Sequence, residues 1–320
     1  MKEEINYSII IPHKNIPDLL QRCLNSIPRR EDIQIIVVDD NSDSNIVDFE
    51  HFPGMSEPCV EVVFTKEGKG AGYARNVGLS KAKGIWLLFA DADDFYNDCL
   101  LEAIDTYKYS EFDLIFFNAD SVYSNNQSQH ISHPHADGLN FFISKYTSAP
   151  VFCMDSLRFY FGPPWCKMIK AKLIKNNSIY FDEVSVHNDT MFSLKIGFLS
   201  KKQYVSKYSI YTTTLRKDSI TFQKDTKKRL LIKTYVSISY DNYMRKIIKK
   251  RSFRLANRLF SYIRNKEYFS FIFVMEYLRR KKCSILLYTI VCFPMITLYR
   301  ILRFVFGKIG ISSHRQDIRR

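Results

Sequence analysis

Short apolar runs alternate with polar, helix-like stretches over the first 120 residues, and this alternation limits the fold more than any other feature of the chain. The runs are continuous and rich in Ile and Val, which is typical of parallel strands buried on both faces. Strands separated by helices predict an open α/β sheet. Helices are expected at residues 17–27 and 71–83, and strands at residues 7–12, 33–39, 60–64, 85–90 and 114–118.

Three polar clusters follow strands of this predicted sheet, each at the point where a strand ends. They are PHKN at residues 12–15, DDNS at 39–42 and DADD at 91–94. In open α/β sheets, ligands bind beyond the carboxyl ends of the strands. Loops are polar in general, which accounts for one such cluster but poorly for three. We therefore expect the three clusters to line one site.

The DADD stretch places three carboxylates within four residues at the end of an apolar run. Side chains two residues apart on an extended chain point the same way, so Asp91 and Asp93 can converge. Two carboxylates at a strand end, completed by waters and a phosphate, suit Mg²⁺ or Mn²⁺. The plainer alternative is a solvated turn whose acids favour the start of a following helix. Both interpretations stay open on this stretch alone.

The loop after the first strand contains no glycine, so it cannot form the G-x-G-x-x-G turn that holds pyrophosphate in NAD-type domains. The chain contains no Walker A motif either. A nucleotide bound here would need another source of positive charge for its diphosphate. A cation on Asp91 and Asp93 would provide that charge.

Residues 120–149 are polar and predict a loop, in which the run HISHPH is expected to be exposed rather than metal-binding. Beyond this segment, Trp165 and Lys167 precede a helical start, and Asp189 precedes an apolar helix. Capping of that helix is the plain alternative role for Asp189. Residues 208–221 alternate like a strand and end in a basic turn.

In this order and spacing, the motifs resemble those of the family 2 glycosyltransferases, which have the GT-A fold. The resemblance covers residues 7–221, about two thirds of the chain. It rests on YSIIIPHKN, IIVVDDNS, the G-x-x-x-A-R-N-x-G stretch at 70–78, the DADD stretch, W-x-K at 165–167 and the pair Asn188-Asp189.

The resemblance implies one nucleotide-binding GT-A domain over residues 1–222, with α/β architecture and a mostly parallel sheet. It also implies an inverting, metal-dependent transfer of a hexose from a nucleotide-sugar, with a UDP-sugar favoured. The implied acceptor is a glycan or lipid-linked glycan of a bacterial surface polysaccharide.

The resemblance further implies roles for individual residues. Asp39 resembles the acid that hydrogen-bonds the donor's nucleobase, with Arg75 as its helper at the nucleotide. Asp91 resembles the acid that reaches ribose or metal-bound water, and Asp93 resembles the direct ligand of Mn²⁺ or Mg²⁺. Asp189 matches the catalytic base that deprotonates the acceptor hydroxyl.

Pro12 and Lys14 stand in the implied donor loop, while Trp165, Lys167 and Asn188 stand on the implied acceptor side. Two of these positions depart from the family's pattern. Asn188 replaces the usual glutamate before the base, which removes a neighbouring carboxylate. Lys14 stands where many members have an aromatic residue that stacks on the base, so we expect Lys14 to reach phosphate instead.

The C-terminal part differs in charge from the rest of the chain. Residues 1–200 carry 18 basic and 27 acidic side chains, whereas the last 120 residues carry 29 and 6. Residues 227–282 predict helices, and the uncharged stretch 283–299 is slightly shorter than the ~20 residues that span a bilayer. We expect residues 223–320 to be helical and to bind an anionic membrane surface. A buried core helix is the alternative, and no nucleic-acid partner is expected.

Seven cysteines without a C-x-x-C pair fit a reducing compartment, and the N-terminus has no signal-peptide pattern. We therefore expect a cytoplasmic protein at the inner face of the cell membrane. Two other functions stay open. One is a nucleotidyltransferase acting on sugar phosphates, and the other is a non-catalytic polysaccharide-assembly protein with a decayed site.

Overall fold

The structure, a computed structural model, describes residues 4–216 and 225–280. The chain divides into two compact units, Met1–Lys224 and Asp225–Arg320. In the first unit the strands are β1 (Tyr7–His13), β2 (Ile33–Asp40), β3 (Val60–Thr65), β4 (Trp86–Phe89), β5 (Phe95–Tyr96), β6 (Leu114–Tyr123), β7 (Asn126–His130), β8 (Lys167–Lys170) and β9 (Gln203–Leu215). The helices are α1 (Pro17–Asn25), α2 (Ala71–Lys81), α3 (Leu100–Thr106), α4 (Pro134–Lys145), α5 (Pro150–Tyr160), α6 (Ala171–Asn176) and α7 (Thr190–Leu199).

These nine strands form one sheet in the order β3-β2-β1-β4-β8-β6-β9-β5, with β7 paired to β6. β1 is parallel to β2 and β4, β2 is parallel to β3, and β6 is parallel to β9. Because β8 is antiparallel to both β4 and β6, β6 and β9 point the same way as β1. β1, β2, β3, β4, β6 and β9 thus share one direction, which confirms the predicted α/β fold with a mostly parallel sheet.

All five strands expected in the first 120 residues are present, as β1, β2, β3, β4 and β6. Their bounds agree with the prediction to within one residue, except that β6 continues to Tyr123. Every residue of β2 is buried, and β1 is buried at all but one position. The continuous apolar runs therefore have the expected cause, which is burial of the strands on both faces.

The prediction of a loop at residues 120–149 is wrong, because this segment contains the β6–β7 hairpin and the helix α4. β7 is exposed along its whole length, so its polar sequence carries no alternating pattern, and its pairing with β6 determines the strand. α4 begins with Pro134 in its first turn and buries only three side chains, Ala136, Leu139 and Ile143. Such a narrow apolar face is easily missed in a polar segment.

Close packing of α7 against α5 positions the start of α7. A Cβ added to Gly197 on α7 would lie only 2.0 Å from the carbonyl oxygen of Arg158 on α5. The Arg158 Nε also donates a hydrogen bond of 2.7 Å to the Gly197 carbonyl. The two helices can approach this closely only because residue 197 has no side chain.

The described part of the second unit contains α8 (Lys227–Tyr243), a π-helical turn (Met244–Ile248), α9 (Arg254–Arg264) and α10 (Tyr268–Arg280). Asp241 on α8 caps α9 by accepting hydrogen bonds from the backbone N–H groups of Arg254 and Leu255. The helices share an apolar cluster of their own, formed by Leu230, Leu255, Ala256, Leu259, Tyr262, Val274 and Leu278.

The prediction of helices over 227–282 is confirmed for 227–280, apart from the breaks between the helices. The uncharged stretch 283–299 lies outside the described residues. Within residues 4–216 and 225–280, no helix has both the length and the apolar character that crossing a membrane requires.

The contact between α7 and α5 predicts a stability difference between two glycine variants. Gly197→Ala should destabilise the protein by about 1–3 kcal/mol, because the new methyl group must displace the backbone of α5. Gly138→Ala on α4 is the matched control, since its added Cβ would meet nothing within 4 Å. The control should leave stability unchanged or raise it by up to ~1 kcal/mol. Urea unfolding followed by circular dichroism would measure both, and equal effects would contradict the packing argument.

Candidate functional site

The first two polar clusters meet because β1 and β2 are parallel and in register, with His13 opposite Asp39. The His13 Nδ1 lies 2.8 Å from the Asp39 carboxylate, and its Nε2 accepts a hydrogen bond from the backbone N–H of Ile16. The Nδ1 atom therefore carries the proton and donates to Asp39. The other Asp39 oxygen accepts from the backbone N–H of Ser42, whose hydroxyl donates to the first. Asp39 is thus buried and held by the two loops that follow β1 and β2.

These hydrogen bonds control the ionisation of Asp39. Burial by itself raises the pKa of this carboxyl, but the hydrogen bonds from His13 and Ser42 outweigh burial and hold the pKa below its usual value. The group therefore stays a carboxylate at neutral pH. A buried carboxylate can act only as a hydrogen-bond acceptor, which suits the N–H groups of a nucleobase.

Lys14 and Asp40 link the first two clusters to the start of α2. The Lys14 Nζ donates to the Asp40 carbonyl at 2.9 Å and lies 3.6 Å from its carboxylate. The same carboxylate accepts from the backbone N–H of Gly70, which precedes α2 with a φ of 96°, a conformation that favours glycine. Lys14 is about half exposed and extends from the site. Pro12, the other residue expected in the donor loop, lies in β1 next to His13.

Arg75 on α2 connects the end of β4 with the loop before α7. One guanidinium nitrogen donates to the Asp91 carboxylate at 2.5 Å, and the other donates to the Asn188 side-chain oxygen at 2.9 Å. The guanidinium also lies 5.3 Å from the centre of the Phe181 ring. The structure therefore brings together Arg75, Asp91 and Asn188, three of the residues that the sequence singled out.

The small and polar residues around Arg75 allow α2 to approach that loop. A Cβ on Gly72 would lie 2.2 Å from the Asp182 carbonyl and 2.9 Å from the Asn188 Cβ. The Asn76 side chain exchanges two hydrogen bonds with the backbone of Phe181, at 3.0 and 2.9 Å. The A-R-N part of the motif at 70–78 is thus a docking surface for the loop that carries Asn188.

The three acids of the DADD stretch differ in their surroundings. Asp91 is held by Arg75, and Asp93 forms an ion pair of 3.1 Å with the Nε of Arg216, just after β9. Asp94 is buried and accepts hydrogen bonds from the Tyr211 hydroxyl and the Thr214 backbone N–H. The stretch is therefore more than a solvated turn, because each carboxylate has a partner on a distant part of the chain.

Negative charge remains concentrated at this point in spite of these partners. Burial raises the pKa of Asp93, and the charge of Asp91 raises it further, although Arg216 opposes both effects. Burial and then the charges of Asp93 and Asp91 raise the pKa of Asp94 well above its usual range. A further positive charge placed between these carboxylates would relieve the repulsion.

The carboxylate oxygens of Asp91 and Asp93 are suitable ligands for a divalent cation such as Mg²⁺. Within residues 4–216 and 225–280, no cluster of three or more His, Cys, Asp or Glu side chains could hold a metal by itself. Mg²⁺, however, is usually bound by one or two carboxylates together with waters and substrate phosphates. Asp91 and Asp93 are each partly exposed and offer that number of carboxylates.

Tyr211 on β9 was not identified from the sequence, yet its hydroxyl holds the DADD stretch through two hydrogen bonds. Its hydroxyl accepts a hydrogen bond of 2.8 Å from the Asp91 backbone N–H and donates to Asp94. Its ring stacks on Trp165 at 5.6 Å. Trp165 is only 4% exposed, so it supports Tyr211 rather than presenting a surface to an acceptor. His133, expected to be in an exposed loop, is half-buried beside Trp165.

Lys167 is buried beneath the start of α7, with an exposed fraction of 2%. Its Nζ donates to the Phe161 carbonyl and to the Ser193 hydroxyl, both at 2.9 Å, and Ser193 donates to the Gly162 carbonyl. Desolvation lowers the pKa of Lys167 to about 7, although the charge of Asp189 opposes this shift. Lys167 therefore joins the segment before Trp165 to the first turns of α7.

Asp189 lies at the N-cap position of α7, but its side chain makes no capping hydrogen bond. The capping role considered from the sequence is therefore not the one observed. The carboxylate is partly exposed, and its neighbour Asn188 is the residue that Arg75 holds. The same arginine thus fixes the loop that carries Asp189 and the strand end that carries Asp91.

Three supporting residues escaped the sequence analysis: His13, Tyr211 and Arg216. His13 lies inside the PHKN cluster, and its proximity to a strand-end acid could have been anticipated from the parallel pairing of β1 and β2. Tyr211 and Arg216 lie in the alternating stretch 208–221, but nothing in that pattern indicates that β9 reaches the DADD stretch. Only the strand order β6-β9-β5 places them there.

Comparison with known proteins identifies the class to which this fold and site belong. The family model "Glycosyl transferase family 2" matches residues 8–177, more than half of the chain. The chain therefore belongs to glycosyltransferase family 2, which confirms the resemblance noted in the sequence. Membership in this family removes the support for a nucleotidyltransferase.

Two curated relatives cover about two thirds of the chain. The glycosyltransferase GlyA of Streptococcus pneumoniae serotype 4 is 26% identical over 226 residues, which are 67% of this chain and 31% of the relative. The poly(ribitol-phosphate) beta-glucosyltransferase of Bacillus spizizenii is 29% identical over 219 residues, or 66% and 32%. The chain thus spans about a third of the length of these relatives.

The fold matches a crystal structure of Staphylococcus aureus TarS, residues 1–349, in complex with UDP-GlcNAc. The TM-score is 0.57 with 18% identity, and the match covers 87% of this chain and 92% of the other. At this identity the likeness shows the fold alone, and it confirms the GT-A type that the motifs implied.

The buried Lys167 predicts a dependence of stability on pH. The unfolded chain keeps this lysine protonated up to its ordinary pKa of 10.5, whereas the native protein releases the proton above about pH 7. The unfolded state therefore binds more protons between these values, so stability should rise with pH there. Relative to Lys167→Met, the wild type should gain on the order of 1 kcal/mol per pH unit between about pH 7.5 and 9.5.

Urea unfolding at several pH values would measure this difference. Lys172→Met is the control, because Lys172 is exposed on α6. It shows how much the pH profile changes when an exposed lysine is lost. Parallel pH profiles for wild type and Lys167→Met would show that Lys167 is protonated in the native protein, contrary to the prediction.

Proposed function

We propose that this chain is a metal-dependent, inverting glycosyltransferase that transfers a hexose from a nucleotide-sugar to a glycan acceptor. The observation that carries the proposal is the bridge made by Arg75 between Asp91 and Asn188. This bridge joins Asp91, one of the two acids suited to a cation, to the loop that carries Asp189, a carboxylate that makes no capping hydrogen bond. Both groups are required on opposite sides of one reacting carbon.

The donor nucleotide is proposed to bind at the ends of β1, β2 and β4. Asp39 would accept a hydrogen bond from the nucleobase, and Pro12 and Lys14 would line the donor loop, with Lys14 near the phosphates. Arg75 would hold Asp91 in place at the ribose and diphosphate. A cation held by Asp91 and Asp93 would act as a Lewis acid that stabilises the charge on the departing nucleoside diphosphate.

A UDP-sugar is the favoured donor. The TarS structure that shares the fold holds UDP-GlcNAc, and Asp39 offers the acceptor atoms that a uracil N–H requires. Asn188 is proposed to line the acceptor side of the site, whereas Trp165 and Lys167 are buried and do not contact an acceptor. Because Asn188 lacks the charge of a glutamate, Asp189 has no carboxylate directly before it in the sequence.

Asp189 is proposed as the base. An acceptor hydroxyl next to its carboxylate would transfer its proton to Asp189 as the oxygen attacks the anomeric carbon of the donor sugar. The bond from that carbon to the diphosphate breaks in the same displacement, so the configuration at the carbon is inverted. The carboxylate remains available because α7 does not use it as a cap.

The acceptor is proposed to be a growing glycan, free or lipid-linked, of a bacterial surface polysaccharide. One relative is a poly(ribitol-phosphate) glucosyltransferase, and that name supports a polymer of the cell surface as acceptor. We place the protein in the cytoplasm at the inner face of the membrane, because a lipid-linked acceptor and a nucleotide-sugar meet there.

The C-terminal unit is proposed to bind the anionic membrane surface. On α10, Phe269 and Ile272 are 63% and 62% exposed, and the helix ends in the exposed pair Arg279 and Arg280. Exposed apolar side chains combined with basic ones are typical of helices that bind a membrane surface. In the sequence, Lys281 and Lys282 follow this helix, and the uncharged stretch 283–299 comes after them.

The first test separates chemistry from donor binding. Asp189→Asn should bind the UDP-sugar with Mn²⁺ as tightly as the wild type and lower the transfer rate by roughly 10²–10⁴-fold, the usual contribution of a general base. Asp93→Asn should instead lose Mn²⁺-dependent binding of the UDP-sugar, and transfer should fall because the donor is no longer bound. Isothermal titration and release of nucleoside diphosphate would measure the two steps, with Asp98→Asn as an exposed control.

Two results would contradict these roles. Loss of donor binding in Asp189→Asn would place this residue in the nucleotide site rather than at the acceptor. Unchanged Mn²⁺-dependent binding in Asp93→Asn would leave the DADD stretch with a structural role only. An active transferase should hydrolyse its nucleotide-sugar slowly when no acceptor is present. If the wild type hydrolyses none, the non-catalytic alternative is favoured.

The second test concerns the membrane. A chain that ends after Arg280 keeps the buried Val274 and Leu278 of the α10 contact and removes residues 283–299. This chain should bind donor but sediment weakly with anionic phosphatidylglycerol vesicles, whereas the full chain should sediment with them. High salt should release only part of the full chain, because salt screens charge but leaves apolar insertion in place. Equal sedimentation, or unfolding of the shortened chain, would contradict the anchor.

A further inference from the structure

We propose that Arg216 occupies the place of the cation in the metal-free protein and competes with it for Asp93. This inference rests on the proposed metal-dependent function and concerns how the cation gains its site. Arg216 follows β9 directly, 123 residues after Asp93 in the sequence, and its Nε lies 3.1 Å from an Asp93 oxygen.

Each acid of the DADD stretch has a positive or hydrogen-bonding partner, but the partners differ in kind. Asp94 receives hydrogen bonds from the Tyr211 hydroxyl and from the backbone N–H of Thr214, which are neutral groups of β9. Asp91 and Asp93 each receive one arginine. In the absence of a cation, one guanidinium therefore pairs with each of Asp91 and Asp93, and the Arg22 guanidinium lies close enough to interact with the charges of Asp94 and Asp93.

The two arginines are not held equally firmly. The Arg75 side chain is 7% exposed, lies on the Phe181 ring and also donates to Asn188. The Arg216 side chain is 29% exposed and reaches Asp93 through its Nε. A partly exposed ion pair contributes little and is easily exchanged, whereas a buried, doubly bonded arginine is costly to remove. Arg216 is therefore the partner that can leave.

A divalent cation on Asp93 would use the same carboxylate and would repel a guanidinium at this distance. Binding of the cation therefore requires that Arg216 release Asp93 or move away from it. The arginine lowers repulsion among the acids while the cation is absent, and it raises the cation concentration needed to fill the site. Removal of the Arg216 charge should therefore strengthen cation binding, which is the opposite of the effect expected for a structural ion pair.

The test is direct binding of Mn²⁺ to the full chain without any nucleotide, measured by titration calorimetry and by loss of the free Mn²⁺ signal in electron paramagnetic resonance. Arg216→Gln should bind Mn²⁺ about 3- to 5-fold more tightly than the wild type, the upper part of the range expected for release of a partly exposed ion pair. Arg216→Met, which also lacks charge but keeps much of the chain length, should behave in the same way. Arg216→Lys should stay within about 2-fold of the wild type, because it keeps the charge.

Two controls separate local competition from net charge. Lys207→Gln removes one charge from an exposed position on the same strand and should leave Mn²⁺ affinity unchanged. In an Asp93→Asn background, Arg216→Gln should have no effect on any residual Mn²⁺ binding, because the shared carboxylate is gone. Thermal unfolding without metal should show Arg216→Gln to be less stable than the wild type, with saturating Mn²⁺ removing the difference.

Equal or weaker Mn²⁺ binding in Arg216→Gln and Arg216→Met, with the wild type binding normally, would overturn the competition and leave the metal-dependent function intact. An equal gain in Lys207→Gln would also overturn it, since the effect would then be one of net charge. Absence of Mn²⁺ binding in the wild type and in all variants, both without nucleotide and with UDP added to supply phosphate ligands, would overturn the metal-dependent function itself, and this inference with it.

Discussion

The buried guanidinium of Arg75 is the interaction on which the arrangement of the site depends. It holds Asp91 at the end of β4 and Asn188 in the loop before α7, while its flat face lies on Phe181. Loss of one partner from a buried ion pair typically costs about 3–5 kcal/mol, because the other charge is left without compensation. The proposed donor and acceptor halves of the site therefore keep their spacing through one side chain.

The strand-end acids create a conflict between stability and function that the surrounding residues only partly resolve. Three carboxylates lie within four residues, and burial raises the pKa of both Asp93 and Asp94. Arg75, Arg216 and the Tyr211 hydroxyl reduce this repulsion without removing it. A site that binds a cation must retain unbalanced negative charge, so complete neutralisation by the protein would abolish the proposed function.

The residues that support the site are buried. Trp165 stacks on Tyr211, and Lys167 joins the segment before Trp165 to the first turns of α7. These residues were expected on the acceptor side, but the structure buries them under the loop that presents Asp189. Trp165 and Lys167 therefore support the site from inside the fold, and an acceptor would contact more exposed residues.

The sequence by itself determined the α/β fold, the positions of the strands β1, β2, β3, β4 and β6, and the three polar clusters, because strand burial and strand–helix alternation leave a local pattern. The rule that ligands bind beyond the carboxyl ends of strands made it possible to expect those clusters on one edge, and β1, β2 and β4 are indeed parallel. Only the tertiary structure decided that Arg75 meets Asn188, 113 residues away, and that the Asp91 backbone meets Tyr211, 120 residues away. Such contacts depend on strand order and on the closeness of backbones, which no local pattern of side chains records.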